Sequence, residues 1–194
     1  MTRQESAALL RAARDGSPEA LGQLYERCAG RLLAIIRLRM GRDLRARLES
    51  RDILQNTLLK SFQHLDQFEG GDGASLVAWL ARIAENEIRD QADFQHRQRR
   101  DVAAAVSIDD SQAPQLVARV RSALSQAILS EDGERLEQAL EALEADHREV
   151  IVLRKFEELS FREIGARMER SEDACRMLLA RALTALTLTM RGAA

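Results

Sequence analysis

Apolar residues return at three- and four-residue spacing through the first hundred positions. The clearest stripe runs through Leu21, Leu24, Cys28, Leu32, Ile35 and Ile36. That period places them on one face of a helix, and a helix with one apolar face has to bury it against something. Composition points the same way. Leucine and alanine supply 58 of the 194 residues, whereas valine, isoleucine and threonine supply 21. Unbranched side chains lose little rotamer freedom in a helix, and β-branched ones favour strands. The expected fold class is all-α, which disfavours an all-β or doubly wound α/β chain.

Punctuation divides the stripes. Ser17-Pro18 reads as a cap followed by a proline at the first helical position, where no N–H is needed. Ser50 is the expected cap of a second helix with the stripe Ile53, Leu54, Leu58, Phe62 and Leu65. Glu69-Gly70-Gly71-Asp72-Gly73 breaks the pattern, and a third helix is expected from about Ser75 to Arg100 through Leu76, Trp79, Leu80, Ile83 and Ile88. Asp101 to Pro114 is rich in alanine, serine and aspartate and reads as a linker. Val117, Val120, Leu124 and Ile128 fit one short amphipathic helix before a second break at Ser130-Glu131-Asp132-Gly133. Four short helices are expected after it. Leu136, Ala139, Leu140 and Leu143 stripe the first, and Asp146 with Glu149 and Ser160 with Glu163 have the spacing of capping boxes. Ser171 would cap the last helix, with apolar positions Cys175, Leu178, Leu179, Ala182, Leu183 and Leu186.

Charge and chemistry narrow the function classes. The net charge is −2, yet 27 of the 29 basic residues are arginine. Arginine's planar fork suits carboxylates and phosphates, although compositional bias explains the excess equally well. Eight arginines stand between Arg27 and Arg51, against Asp43 and Glu49. Cys28 and Cys175 lie far apart with no CxxC, so neither a zinc site nor a disulfide framework is expected. His64, His96 and His147 are scattered, and no nucleophile stands beside a base, so no enzyme, metal or cofactor is expected. The start leads into no long apolar segment, and the longest aliphatic run, Leu32 to Ile36, is far short of the roughly 20 residues of a membrane span. A cytoplasmic protein without membrane insertion is the expectation.

The most informative stretch is Ser160 to Ala182. A helix over Phe161–Met168, a tight connection and a second helix from Ser171 fit a helix-turn-helix. Gly165 stands where such helices cross, with Ile164, Met168, Cys175 and Leu178 at the buried positions, and Arg176 and Arg181 placed to reach phosphates. Glu169 occupies the turn position that usually holds glycine, and Arg170 the next one, usually aliphatic and buried.

The segment from Leu140-Glu141-Ala142-Leu143 through Asp146-His147-Arg148-Glu149-Val150-Ile151-Val152-Leu153-Arg154 to Glu163-Ile164-Gly165, with Arg181-Ala182 ending the second helix, resembles region four of bacterial sigma factors. Asp52-Ile53-Leu54-Gln55-Asn56-Thr57, then Phe62 and Phe68, then Ala78-Trp79-Leu80-Ala81-Arg82-Ile83-Ala84-Glu85-Asn86, resembles region two. With a linker and no region-three domain between them, the order is that of the extracytoplasmic-function group. The resemblance implies two small helical domains: residues 1–100 for core polymerase and the minus-ten element, and 134–194 for the minus-thirty-five element, joined by a linker over 101–133.

By position, Asp52, Gln55, Asn56, Leu59 and Lys60 would face core RNA polymerase, with Asn56 standing where the family usually has glutamate. Arg82, Asn86, Arg89, Arg97, Arg99 and Arg100 would serve minus-ten DNA, where melted bases need a pocket, amide donors and stacking groups. Glu85 replaces the usual arginine there, and Trp79 reads as core rather than as a stacking platform. Ser171, Glu172, Asp173, Ala174, Arg176, Met177 and Arg181 would read the minus-thirty-five duplex, the two acids accepting from cytosine amino groups. Promoter DNA and core polymerase are the implied partners, with an anti-sigma protein as a third. The alternative reading is a stand-alone helix-turn-helix regulator whose N-terminal half senses a signal or dimerises.

Overall fold

A computed structural model describes residues 3–70, 73–98 and 131–192. The chain divides into two compact units, Met1–Ala127 and Ile128–Ala194. Among the described residues every regular element is helical.

The first unit contains α1 (Arg3–Arg14), α2 (Pro18–Arg45), α3 (Ser50–Gln63), a 3-10 turn (Leu65–Gln67) and α4 (Gly73–Gln98). Ser17 caps α2 as its spacing predicts, its hydroxyl oxygen accepting from the Ala20 N–H at 3.3 Å. The stripe from Leu21 to Ile36 is buried throughout, and α2 packs against α1, α3 and α4. Fully burying each such leucine or isoleucine is worth roughly 1.5–3 kcal/mol, which makes α2 the spine of the unit. Near its end the helix kinks at Gly41, at φ 65 and ψ 174, a backbone that a side chain would resist.

The α2–α3 seam also contains a polar pair. Tyr25 is fully buried, and its hydroxyl lies 2.6 Å from Ser61 Oγ. Ser61 gives its own hydrogen to the Leu58 carbonyl at 2.8 Å, so the Tyr25 hydroxyl is the donor. Thr57, also buried, returns its hydroxyl to the Ile53 carbonyl at 2.7 Å. These residues correct one expectation. Ile53, Leu54, Leu58 and Leu65 are buried, but Phe62 is 45% exposed. At about 100° of rotation per residue, Thr57 and Ser61 fall within the buried arc and Phe62 falls beyond its edge. Ser50 does not cap α3 either. It is the first helical residue, and Glu49 precedes it without a side-chain cap.

The second unit contains α5 (Glu131–Glu141), α6 (Ala145–Ile151) continuing into a π-helical turn (Val152–Phe156), α7 (Phe161–Met168) and α8 (Glu172–Gly192). Helix α5 starts at Glu131 and runs through Gly133, so the expected break at Ser130 to Gly133 is not one from Glu131 onward. The linker over 101–114 and the amphipathic stretch from Val117 to Ile128 lie outside the described residues.

Four consecutive residues, Val150 to Leu153, are buried, more than one face of a regular helix can hide. The π turn is where the pattern changes: the Glu157 N–H reaches the Val152 carbonyl, five residues back, at 3.0 Å. The capping box expected at Asp146 and Glu149 does not form. Helix α6 begins two residues earlier than a cap at Asp146 would set it, after Glu144, so Asp146 sits inside its first turn. Helix α8 packs on α5, α6 and α7 through Cys175, Leu179 and Ala182, while Leu178 and Leu186 are half-buried and Leu183 is exposed.

Replacing Tyr25 with phenylalanine leaves Ser61 its Leu58 acceptor and removes only one buried donor. Tyr25→Phe should lower stability by about 1 kcal/mol, read as a lower urea midpoint with an unchanged denaturant slope.

Candidate functional site

Helix α7 begins with a complete capping box. Ser160 Oγ accepts from the Glu163 N–H at 3.3 Å, and the Glu163 carboxylate accepts from the Ser160 N–H at 2.7 Å and its hydroxyl at 2.6 Å. Those bonds favour the charged form and hold the Glu163 carboxyl below its ordinary value. At the crossing, a Cβ built on Gly165 would lie 2.6 Å from the Arg170 carbonyl oxygen, backbone that cannot step aside cheaply. The Arg170 N–H closes the turn onto the Gly165 carbonyl at 2.9 Å.

The two departures in this turn each have a physical account. Glu169 adopts the left-handed conformation, φ 55 and ψ 44, that the position requires of any residue. Arg170 stays exposed and pairs with Asp146 of α6 at 2.5 Å, so an ion pair replaces the buried aliphatic contact expected there. Ile164 and Cys175 are buried as expected, whereas Met168 and Leu178 are only half-buried.

Ser171 caps α8, accepting from the Ala174 N–H at 3.2 Å. Ser171, Glu172, Asp173, Ala174, Arg176, Met177 and Arg181 are all exposed, with Cys175 buried among them. Met177 is 57% exposed. Arg176 is held from three sides. Its guanidinium donates to Glu172 at 3.1 Å and Asp173 at 2.5 Å and lies 5.1 Å from the Phe161 ring centroid. Arg154 stacks on the same ring at 5.2 Å. Sequence reasoning placed neither Phe161 nor Arg154 here, because cation–π partners come from other helices and leave no spacing signal.

In the first unit, Asp52 is exposed and Gln55, Asn56, Leu59 and Lys60 are half-exposed on α3. A groove of about 350 Å³ opens beside them, lined by Glu49, Asp52, Gln55 and Asn56 together with Gln91 of α4. Beneath it lies a residue the sequence reading did not single out. Glu87 is buried and accepts from Lys60 at 2.5 Å, from Asn56 at 3.1 Å and from Gln91 at 3.2 Å. Burial disfavours its charge, but the hydrogen bonds from Lys60, Asn56 and Gln91 outweigh it and hold the carboxyl below its ordinary value of 4.5. The signal was present: an acid continues the buried series Leu76, Leu80, Ala84 on α4.

Arg82, Asn86 and Arg89 are exposed together along α4, and Arg89 donates to Asn86 at 3.4 Å. Glu85 forms an ion pair with Arg39 of α2, which gives this departure a structural role. Trp79 is half-buried against the buried Phe68 ring, 5.2 Å between centroids, consistent with core packing. Arg14 lies over Phe68 and donates to the Phe68 and Gly70 carbonyls, tying α1 to the start of the glycine-rich loop. Arg99, Arg100 and the side chain of Arg97 lie outside the described residues. Among the described residues no group of histidine, cysteine and acidic side chains is placed to hold a metal, and no helix is long and apolar enough to cross a membrane.

Comparison with known proteins bears on both units. The family described as Sigma-70 region 2 matches residues 24–100, and Sigma-70, region 4, matches residues 133–186. The chain is 33% identical to RNA polymerase sigma factor CarQ of Myxococcus xanthus over 166 residues, covering 84% of this chain and 85% of that protein. It is 28% identical to RNA polymerase sigma factor NccH of Alcaligenes xylosoxydans xylosoxydans, covering 95% and 94%. Among solved structures it resembles CnrH in complex with the cytosolic domain of CnrY, at 25% identity and a TM-score of 0.55, covering 98% of this chain and 99% of that one. It also resembles the sigma factor RpoE of Bartonella quintana in complex with the anti-sigma factor NepR, at 25% identity and a TM-score of 0.52, covering 87% and 93%.

Three variants test the local physics. Glu169→Gly removes the left-handed strain and should stabilise the protein by about 0.5–1 kcal/mol after the entropy gained by the unfolded chain. Gly165→Ala should destabilise by about 1–3 kcal/mol, both read by chemical denaturation. Glu87 has a lowered folded pKa, so its stabilisation is full above 4.5 and lost as pH falls through the folded value. Unfolding midpoints of wild type and Glu87→Gln should therefore differ at neutral pH and converge in acid.

Proposed function

This chain belongs to the sigma-70 family, in its extracytoplasmic-function group, and from that premise we propose how its residues divide the work. A sigma factor binds core RNA polymerase, recognises specific promoters and directs the start of transcription. The polymerase supplies the chemistry, and this chain supplies recognition. We place it in the cytoplasm, where both partners are found.

The observation that carries the assignment is the exposed, capped N-terminus of α8 in one unit together with the polar α3 face in the other. Residues 134–194 take the minus-thirty-five duplex, with Ser171, Glu172, Asp173, Ala174, Arg176, Met177 and Arg181 toward the major groove. Residues 1–100 take the polymerase through Asp52, Gln55, Asn56, Leu59 and Lys60, and residues 101–133 connect the two. Arg82, Asn86 and Arg89 serve the minus-ten element, with Arg97, Arg99 and Arg100 continuing toward duplex phosphates. Two similar solved structures are complexes, one of them with an anti-sigma factor. A control protein covering these faces is the third partner class.

The bonds that Arg176 donates to Glu172 and Asp173 give the acids a task besides base reading: they aim the guanidinium while the Phe161 ring supports its face. A fork held in place loses less freedom on meeting a base edge or phosphate.

Run-off transcription with purified cognate core enzyme and a genomic promoter library should give promoter-specific transcripts only when this chain is added. Failure to form a complex with that core enzyme would overturn the assignment. Arg176→Ala should weaken binding to the selected minus-thirty-five duplex by about 1–3 kcal/mol while leaving affinity for core enzyme unchanged.

A further inference from the structure

We infer that Glu87 is a positioning residue for polymerase binding, because it determines which atom of Asn56 is offered to the groove on α3. The inference rests on the assignment of the α3 face to the polymerase.

Glu87 is 3% exposed, yet its two oxygens have three donors. Lys60 Nζ lies 2.5 Å from Oε2, and Asn56 Nδ2 and Gln91 Nε2 lie 3.1 and 3.2 Å from Oε1. The carboxyl lies below its ordinary value, so it is ionised at neutral pH. An ionised carboxylate only accepts hydrogen bonds. An asparagine beside it has two orientations, and one would press the amide oxygen against a buried negative charge. The amide nitrogen therefore turns inward, and Oδ1 is the atom left for a partner.

Asn56 lines the groove that Glu49, Asp52, Gln55 and Gln91 complete. A neutral side chain thus presents an acceptor, the same polarity as the glutamate that the family resemblance leads one to expect there. The bond partner required across the interface is a hydrogen-bond donor. Lys60, 43% exposed at its side chain, is drawn to the same carboxylate from beneath and lies 3.8 Å from the exposed Asp90, so its charge is offset from both sides. Without the carboxylate, both groups regain rotamers that binding would have to freeze.

The test is equilibrium binding of the labelled full chain to cognate core RNA polymerase, well below the lowest unfolding midpoint of the variants compared. Asn56→Ala should weaken binding about tenfold, the value of one hydrogen bond to a good partner. Asn56→Asp, which sets two carboxylates together, and Glu87→Gln, which accepts either orientation of the amide, should each weaken it about fivefold or more. The double variant Asn56→Asp with Glu87→Gln exchanges donor and acceptor and again leaves an oxygen facing out. It should recover wild-type affinity to within about threefold. A double variant no tighter than the weaker single would overturn the inference. So would Glu87→Gln at wild-type affinity while Asn56→Ala is weakened, which leaves the α3 assignment standing. Wild-type affinity in Asn56→Ala overturns that residue's assignment to the polymerase face and the inference with it.

Discussion

Helices here stand by burying their apolar faces, and the structure depends on what becomes of the polar groups that are buried with them. In the first unit α2 packs against three helices at once, so its seams hold Tyr25 over Ser61, and the α3–α4 seam holds Glu87. In the second unit Glu157 is 1% exposed and meets Arg167 at 3.4 Å. A polar group buried without a partner costs on the order of 1–3 kcal/mol, so each of these pairs also sets the register between the helices it joins.

The same economy shapes the two faces proposed for contact. Polar residues on α3 are organised from below by a carboxylate that never reaches solvent, and Arg176 on α8 is organised from the side by two acids and a ring. In both places the group proposed to make contact is half-exposed or exposed, and its orientation comes from neighbours a few ångströms away. Recognition of this kind draws on preorganisation as well as on the number of charges. A chain with net charge −2 is no obstacle to such a role, because local arrangement rather than total charge decides what a surface meets.

Much was legible beforehand where a local rule has one solution. The Leu21 to Ile36 stripe, the cap at Ser17, the box at Ser160 and Glu163 and the cap at Ser171 depend on spacing within one helix, and all appear as their spacing predicts. Where two local solutions compete, the neighbourhood decides. Asp146 had the spacing of a cap and became a partner of Arg170, once α6 began two residues earlier. Phe62 had the residue type of a core position, but Thr57 and Ser61 occupy the buried arc with hydroxyls satisfied by their own backbone. Glu169 shows the reverse, a strained backbone tolerated because Gly165 lets the turn close against it.

The amino-acid order by itself determined that the chain is helical, where its helix-turn-helix lies, and which family its two motif sets resemble. These follow from periodicity, capping and residue identity, which act over one or two turns. Only the tertiary structure decided what the departures do: Glu85 pairs with Arg39, Arg170 pairs with Asp146, and Asn56 donates to Glu87, which also gathers Lys60 and Gln91. Apart from Gln91, one turn along α4 from Glu87, each of these partners comes from a different element, and a partner across a seam depends on how the elements pack rather than on any spacing within one helix.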